Sequence, residues 1–340
     1  MPRLPCIGIT MGDPAGIGPE IVVKALSDSG MYEIARPFVL GDPAAIAAWV
    51  DKDPRLQIRE TLETGHAGEQ PNVVDVLPVS RLDPALIQPG VPTIEGGRAM
   101  VAAVTRAVDL ALAGKLDGMV TGPVSKALMR RAGCAFDGHT PLLADLTGAG
   151  DVIMMLAGDR LRVALVTIHR PLRDVPGLLT EQAIYRTVVL TNRGLRYDFA
   201  IRAPRLAVAA LNPHGGEEGL FGTEEETVIA PAVQRARASG IDAQGPLPAD
   251  TVFFKAASGD FDAVICMYHD QGLIPLKLLH FADGVNITLG LPIVRTSVDH
   301  GTAYDIAGKG IADPSSLKAA FRTAAVMAEN RRAADRVRSS

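Results

Sequence analysis

The chain has 340 residues and a formal net charge of −4, with 47% hydrophobic and 21% charged residues. That balance suits a globular enzyme of one large α/β unit or two lobes, and it excludes a basic nucleic-acid footprint. No apolar run approaches a membrane span and residues 1–10 lack a signal-peptide layout, so a cytoplasmic protein is expected. In chain order, a short strand at Cys6–Thr10 leads into Gly12-Asp-Pro-Ala-Gly-Ile-Gly-Pro-Glu20 and a helix over Ile21–Ser27. Pro19 fits that helix's first turn and Glu20 its positive end. The glycine loop lacks both GxGxxG spacing and a Walker lysine, which removes the Rossmann and P-loop readings. It is either a tight strand-to-helix turn or the lining of a crevice near a cofactor.

Strands are expected at Pro37–Gly41 and Val73–Val76, inside a loop-rich region from Asp51 to Pro92. Thr93–Ala113 is an amphipathic helix. Gly118–Thr121 is a strand that runs through Gly122-Pro-Val-Ser-Lys126 into another helix. Val152–Ala157 and Leu161–Thr167 form a strand pair, Glu181–Leu195 and Glu224–Ser239 are helices, and Pro314–Arg338 is the last helix. Strands alternating with helices predict a largely parallel sheet with helices on both faces. Cys6, Cys134 and Cys266 are scattered and fit reduced core positions.

The sharpest chemical signal is threefold. Ala263–Met267 is an apolar run that stops at Tyr268, His269, Asp270 and Gln271; Leu161–Thr167 leads to His169; Leu206–Leu211 leads to His214 and two glycines. Buried strands of this kind deliver ligand-binding groups beyond their carboxyl ends. One histidine in such a place is more often a hydrogen-bonded loop residue. Three of the seven histidines in equivalent settings point to a divalent-metal site with an open position.

Two further sets suit an anion. Gly138-His139-Thr140-Pro141 offers an imidazole, a hydroxyl and a helix starting at Pro141, with plain capping by Thr140 as the alternative. Lys277, Asn286 and Arg295 flank apolar or glycine-rich runs and supply a point charge, an amide and a bidentate fork. Downstream, the loop Val298–Asp313 has glycines for close backbone approach, and Asp305 offers an acceptor for a ribose or adenine.

Several motifs occur in one order along nearly the whole chain: Thr10–Glu20, Gly138-His-Thr140, Asn212-Pro-His214, Gly245–Thr251, Met267–Gly272 and Gly284–Pro292. Together they closely resemble the 4-hydroxythreonine-4-phosphate dehydrogenase family of pyridoxal phosphate biosynthesis and its 4-phosphothreonate and 4-phosphoerythronate dehydrogenase paralogues. The resemblance implies a two-lobed α/β/α sandwich similar to isocitrate and isopropylmalate dehydrogenases, without a Rossmann domain. Residues 1–130 with 300–340 would form the cofactor-side lobe, and 131–299 the lobe carrying metal, substrate and dimer interface. It further implies oxidation of the C3 hydroxyl of 4-phosphooxy-threonine by NAD or NADP, followed by decarboxylation. A divalent metal would assist, zinc first, with magnesium or cobalt open.

By the same resemblance His169, His214 and His269 become the metal ligands, at a site shared across a homodimer to which His269 comes from the neighbouring subunit. His139, Thr140, Lys277, Asn286 and Arg295 match substrate positions. Gly12 and Asp13, with His300, Gly301, Ala303, Asp305 and Gly308, match cofactor loops. A general base is also required, and Lys126 and Asp250 are the candidates. Pro141 stands where many members carry an acidic residue, which keeps the paralogues' substrates and a terephthalate-type cis-dihydrodiol in play. Outside this class, three histidines also suit a zinc hydrolase, and the wider fold includes non-catalytic binding proteins related to phosphate acyltransferases.

Overall fold

The structure, a computed structural model, describes residues 3–339, with side chains described to 336. The described strands are β1 (Cys6–Thr10), β2 (Arg36–Gly41), β3 (Gln57–Glu60), β4 (Val73–Pro78), β5 (Gly118–Thr121), β6 (Ile153–Ala157), β7 (Arg162–Leu165), β8 (Arg205–Ala209), β9 (Asp242–Leu247), β10 (Ala263–Cys266), β11 (Val285–Leu289) and β12 (Arg295–Val298). The chain divides into two compact units. The first takes the residues up to Gly150 with Leu291–Arg332; the second takes Asp151–Gly290 with the chain from Ala333.

The crossings therefore lie at 150 and 290, not at the 130 and 299 expected from sequence. Packing explains the shift. Helices Lys126–Arg131 and His139–Thr147 lie on helix Ile94–Leu112 and stay with the first unit. Gly97 makes this possible, since a Cβ there would come within 2.9 Å of Leu128 and Ala132. At the other crossing β12 pairs with β5, Arg295 opposite Met119, which draws the chain back to the first unit.

In the first unit the strand order β3-β4-β2-β1-β5-β12 is parallel throughout. Ile7, Ile9, Phe38, Val39 and Leu40 are fully buried, as central strands covered on both faces require. Helix Ile94–Leu112 presents Met100, Ala103, Val104, Ala107 and Val108 as its buried stripe. The Thr93 side chain caps it by accepting from the Gly96 amide at 3.0 Å.

In the second unit the order is β11-β6-β7-β10-β8-β9. Here β6 runs antiparallel to both β11 and β7, so the largely parallel sheet expected from sequence holds only for β7, β10, β8 and β9. A short turn between β6 and β7 allows only a hairpin. Met154, Leu156, Val163, Ala207, Val264, Cys266 and Leu276 form the core beneath these strands.

Three local expectations change. The first helix opens at Gly18, before Ile21, because Pro19 already holds helical φ. The helix expected over Glu224–Ser239 is a π-helical turn, Glu225–Ile229, followed by α-helix Ala230–Ala238. Pro231 cannot donate to the α ladder, which favours the wider turn ahead of it. The loop-rich region holds the mostly exposed edge strand β3, whose polar residues hide the alternation. Cys6 and Cys266 are buried free thiols; burial pushes Cys6 up to about 11 and raises Cys266 as well. Among the described residues no helix is long and apolar enough to cross a membrane.

Candidate active site

In the second unit β7, β10 and β8 are parallel neighbours, with β10 in the middle. Their carboxyl ends share one edge, and each leads to a histidine. His269 opens helix His269–Leu279, His169 follows β7, and His214 lies in the turn Pro213–Gly216. The rings of His169 and His269 stand 5.5 Å apart, centroid to centroid. Asp270 holds Nδ1 of His269 at 2.7 Å, which leaves Nε2 as the outward donor nitrogen.

His214 stands apart from that pair. Its backbone sits at φ 55°, followed by Gly215 at 71° and Gly216 at 85°, and its ring lies 6.3 Å from that of Phe221. Among the described residues no three His, Cys, Asp or Glu side chains are grouped closely enough to hold a metal ion. The donor chemistry nevertheless fits a divalent cation: three imidazoles on one sheet edge, one of them oriented by a carboxylate.

The first unit carries His139, Thr140 and Arg295 of the set expected to hold an anion. Helix His139–Thr147 begins two residues earlier than expected, with Gly138 at its N-cap, and no side chain caps it, Thr140 included. Gly138 has φ 118°, and a Cβ there would meet the Lys126 stem, with Cε at 3.2 Å. Part of His139 reaches solvent, but its Nε2 is sealed and has no hydrogen-bond partner. Burial, then the charge of Arg295, then that of Lys126, hold His139 well below the usual imidazole range. Arg295 is 2% exposed and donates from Nη2 to Thr121 Oγ1 at 2.7 Å; burial pulls it down to about 9. A neutral imidazole lying in the field of two cations is a setting that an anion would complete.

This gives a pH prediction. The unfolded chain protonates His139 near the ordinary value of about 6.5, whereas the folded chain keeps it neutral to lower pH. Between those values the unfolded state binds the extra proton. Stability is therefore present above about 6.5 and is lost as pH falls toward the folded value, by at most about 1.4 kcal/mol per pH unit and less for a partly exposed ring. Thermal unfolding from about pH 7 to 5 should show this slope, and His139→Gln should flatten it. An unchanged slope in the variant would assign the proton to another group.

The remaining site residues fall as follows. Lys126 is exposed at the start of helix Lys126–Arg131, behind a Ser125 cap that accepts from Leu128 N at 3.3 Å. Asp250 is exposed in the first turn of helix Ala249–Ala257 in the second unit. Lys277 and Asn286 also belong to the second unit, Lys277 half-buried with its Nζ 5.9 Å over Phe281, and Asn286 on β11 opposite Leu156. Arg295 belongs to the first unit.

Around β1 the expected cofactor loops pack together. Gly12 has φ 74°, and a Cβ there would lie 2.5 Å from the Pro123 carbonyl. Asp13 is fully buried; it accepts from Ala15 N at 2.9 Å and from the Tyr304 hydroxyl at 2.5 Å. Both carboxylate oxygens thus serve the loop's shape, and burial raises the Asp13 carboxyl above its ordinary range. Tyr304, pushed up to about 12 by burial and by Asp13, carries no sequence signal beyond being an aromatic residue in a polar loop. His300 Nδ1 lies 3.0 Å from the Gly301 carbonyl. Gly301 and Asp305 are exposed, Ala303 has φ 45°, and Gly308 at φ 80° packs on Pro89.

Against this geometry, a profile of the family described as pyridoxal phosphate biosynthetic protein PdxA matches residues 33–324. A 4-hydroxythreonine-4-phosphate dehydrogenase of Desulforapulum autotrophicum is 55% identical over 326 residues, covering 95% of this chain and 96% of its own. Among solved structures, the enzyme of that name from Klebsiella pneumoniae is 41% identical with a TM-score of 0.88, covering 95% of this chain and 99% of its own. A terephthalate 1,2-cis-dihydrodiol dehydrogenase from Burkholderia xenovorans is more distant, at 29% identity and a TM-score of 0.66, with 95% and 98% covered.

Proposed function

This chain belongs to the PdxA family of pyridoxal phosphate biosynthetic proteins and is an oxidoreductase, and on that premise we propose that it oxidises the C3 hydroxyl of 4-phosphooxy-threonine and releases carbon dioxide. One observation carries the substrate reading. His139, with its sealed Nε2, lies in the combined field of buried Arg295 and of Lys126. That field suits a doubly charged phosphoryl group, which a diene-diol lacks. The higher similarity to phosphate-ester dehydrogenases than to the dihydrodiol enzyme points the same way.

Arg295 and His139 would hold the phosphoryl group, with Thr140, Lys277 and Asn286 completing the substrate set. When bound, a divalent cation on His169, His214 and His269 would supply Lewis-acid stabilisation of the hydroxyl and enolate oxygens, and NAD or NADP would take the hydride. The hydroxyl proton has to pass to a side chain, for which Lys126 and Asp250 remain the candidates. The loops around Gly12 and around His300–Gly308 give close backbone approach for the nucleotide. A substrate panel tests the reading: NADH should form fastest with 4-phosphooxy-threonine, ahead of 4-phosphothreonate, 4-phosphoerythronate and a cis-dihydrodiol. Equal or faster turnover of the dihydrodiol would overturn it.

The homodimer reading has its own support. On the helix that His269 opens, and just beyond it, Ile274, Leu278 and Phe281 are 68%, 85% and 83% exposed. A row of large apolar side chains at helical spacing marks a surface for a partner. A second copy seated there would bring His269 into the neighbour's set. Leu278→Asp should therefore give monomers in analytical ultracentrifugation and lose most activity, while circular dichroism stays unchanged. A dimeric, active variant would place the interface elsewhere.

A further inference from the structure

We propose that Gln271, with Thr167 and Glu225, is a positioning residue for the cation site. These side chains form a buried hydrogen-bond relay that ties together the three strand ends bearing the histidines. The three are 7%, 7% and 3% exposed in that order. Thr167 donates from Oγ1 to the Met267 carbonyl at 2.7 Å. The Met267 amide donates to Gln271 Oε1 at 2.7 Å, and Gln271 Nε2 donates to the Ala210 carbonyl at 2.7 Å. The next two amides, Leu211 and Asn212, donate to Glu225 Oε1 at 2.8 and 2.7 Å, and Asn212 Nδ2 donates to Glu225 Oε2 at 2.9 Å.

The relay meets each strand end at the same distance from its histidine: 167 to 169, 267 to 269 and 212 to 214. It thus runs across β7, β10 and β8 in their order in the sheet. The plainer role for Gln271 is a helix cap, because a glutamine at the third helical position can reach back to a free backbone amide. A cap uses only Oε1. The donation from Nε2 to Ala210, on the end of the neighbouring strand, contributes nothing to the helix. Glu225 has a matching role on the third strand. The left-handed backbone of His214 and the glycines after it persists only where surrounding contacts over-determine it, and three N–H groups converging on one buried carboxylate do that. The relay holds the strand ends of His169 and His214 at a fixed spacing within one subunit and fixes the strand end from which His269 is offered to the neighbour; groups that orient ligands commonly govern cation affinity by about 10–100-fold.

The inference rests on the reading that these histidines bind a divalent cation, so its test reads the cation itself. Co²⁺ would be titrated into the full-length protein by calorimetry, and its visible absorption recorded as a report of ligand geometry. Gln271→Glu keeps the acceptor for Met267 N and loses the donor to Ala210, separating the relay from the cap. We expect about 10–100-fold weaker Co²⁺ binding and a shifted spectrum in this variant and in Glu225→Gln, with circular dichroism like the parent. Should Gln271→Glu fold poorly, Glu225→Gln carries the comparison, since it leaves both Gln271 bonds in place and changes only the third strand end. If the parent binds Co²⁺ and Gln271→Glu matches its Kd and spectrum, the positioning role is wrong while the cation reading stands. If the parent binds no Co²⁺, both are wrong.

Discussion

His269→Ala should lower kcat/KM by about 10³-fold, and chelation of the parent enzyme should produce a loss of the same size. Lewis-acid stabilisation of developing oxyanion charge contributes several kcal/mol to a transition state, and each 1.4 kcal/mol is tenfold in rate. His269 is the choice with the largest expected effect because β10 lies between β7 and β8. Its ring is oriented by Asp270, and on the homodimer reading it is the ligand given to the neighbouring subunit, so removing it empties one position of each site in the dimer. Steady-state kinetics with and without a chelator would test this. Added divalent cation should restore the chelated parent and leave the variant inactive. A variant with parental kcat/KM would remove the cation from the mechanism.

The three histidines were legible because each signal is local. An apolar run ending in a polar cluster shows both the strand and the edge at which it delivers its side chain. Helix Ile94–Leu112 was legible for the same reason, since its stripe and its Thr93 cap lie within one segment. What depends on register stayed hidden. Arg295 meets Thr121 only because β12 pairs with β5, across 174 positions. Tyr304 meets Asp13 across 291. No local pattern distinguishes an arginine that will be sealed beside an imidazole from one that will face water. Gln271 shows the same limit: its place beside His269 was visible, whereas its bond to Ala210, 61 positions away, follows from the strand order. The π-helical turn at Glu225 was missed differently, since the segment looks regular until one proline decides the geometry.

Arg295→Met should raise KM for the phosphorylated substrate by about 10²-fold or more, with a smaller change in kcat. The guanidinium is 2% exposed, and burial pulls it down to about 9, so it is still charged at neutral pH. Burying a charge there carries a desolvation cost, which its bond to Thr121 helps to offset. Thr121 keeps its contact with the Thr296 carbonyl, at 3.5 Å. A buried guanidinium fork suits a phosphoryl group, and losing one partner of a desolvated pair costs about 2–5 kcal/mol. Arg295→Lys should recover only part of the affinity, since it keeps the charge and loses the two-pronged fork. With that cation gone from its surroundings, His139 should titrate closer to its ordinary value in Arg295→Met, which an NMR titration of the imidazole would show. A KM unchanged in Arg295→Met would mean that the phosphoryl group is held elsewhere, and would favour a substrate without one.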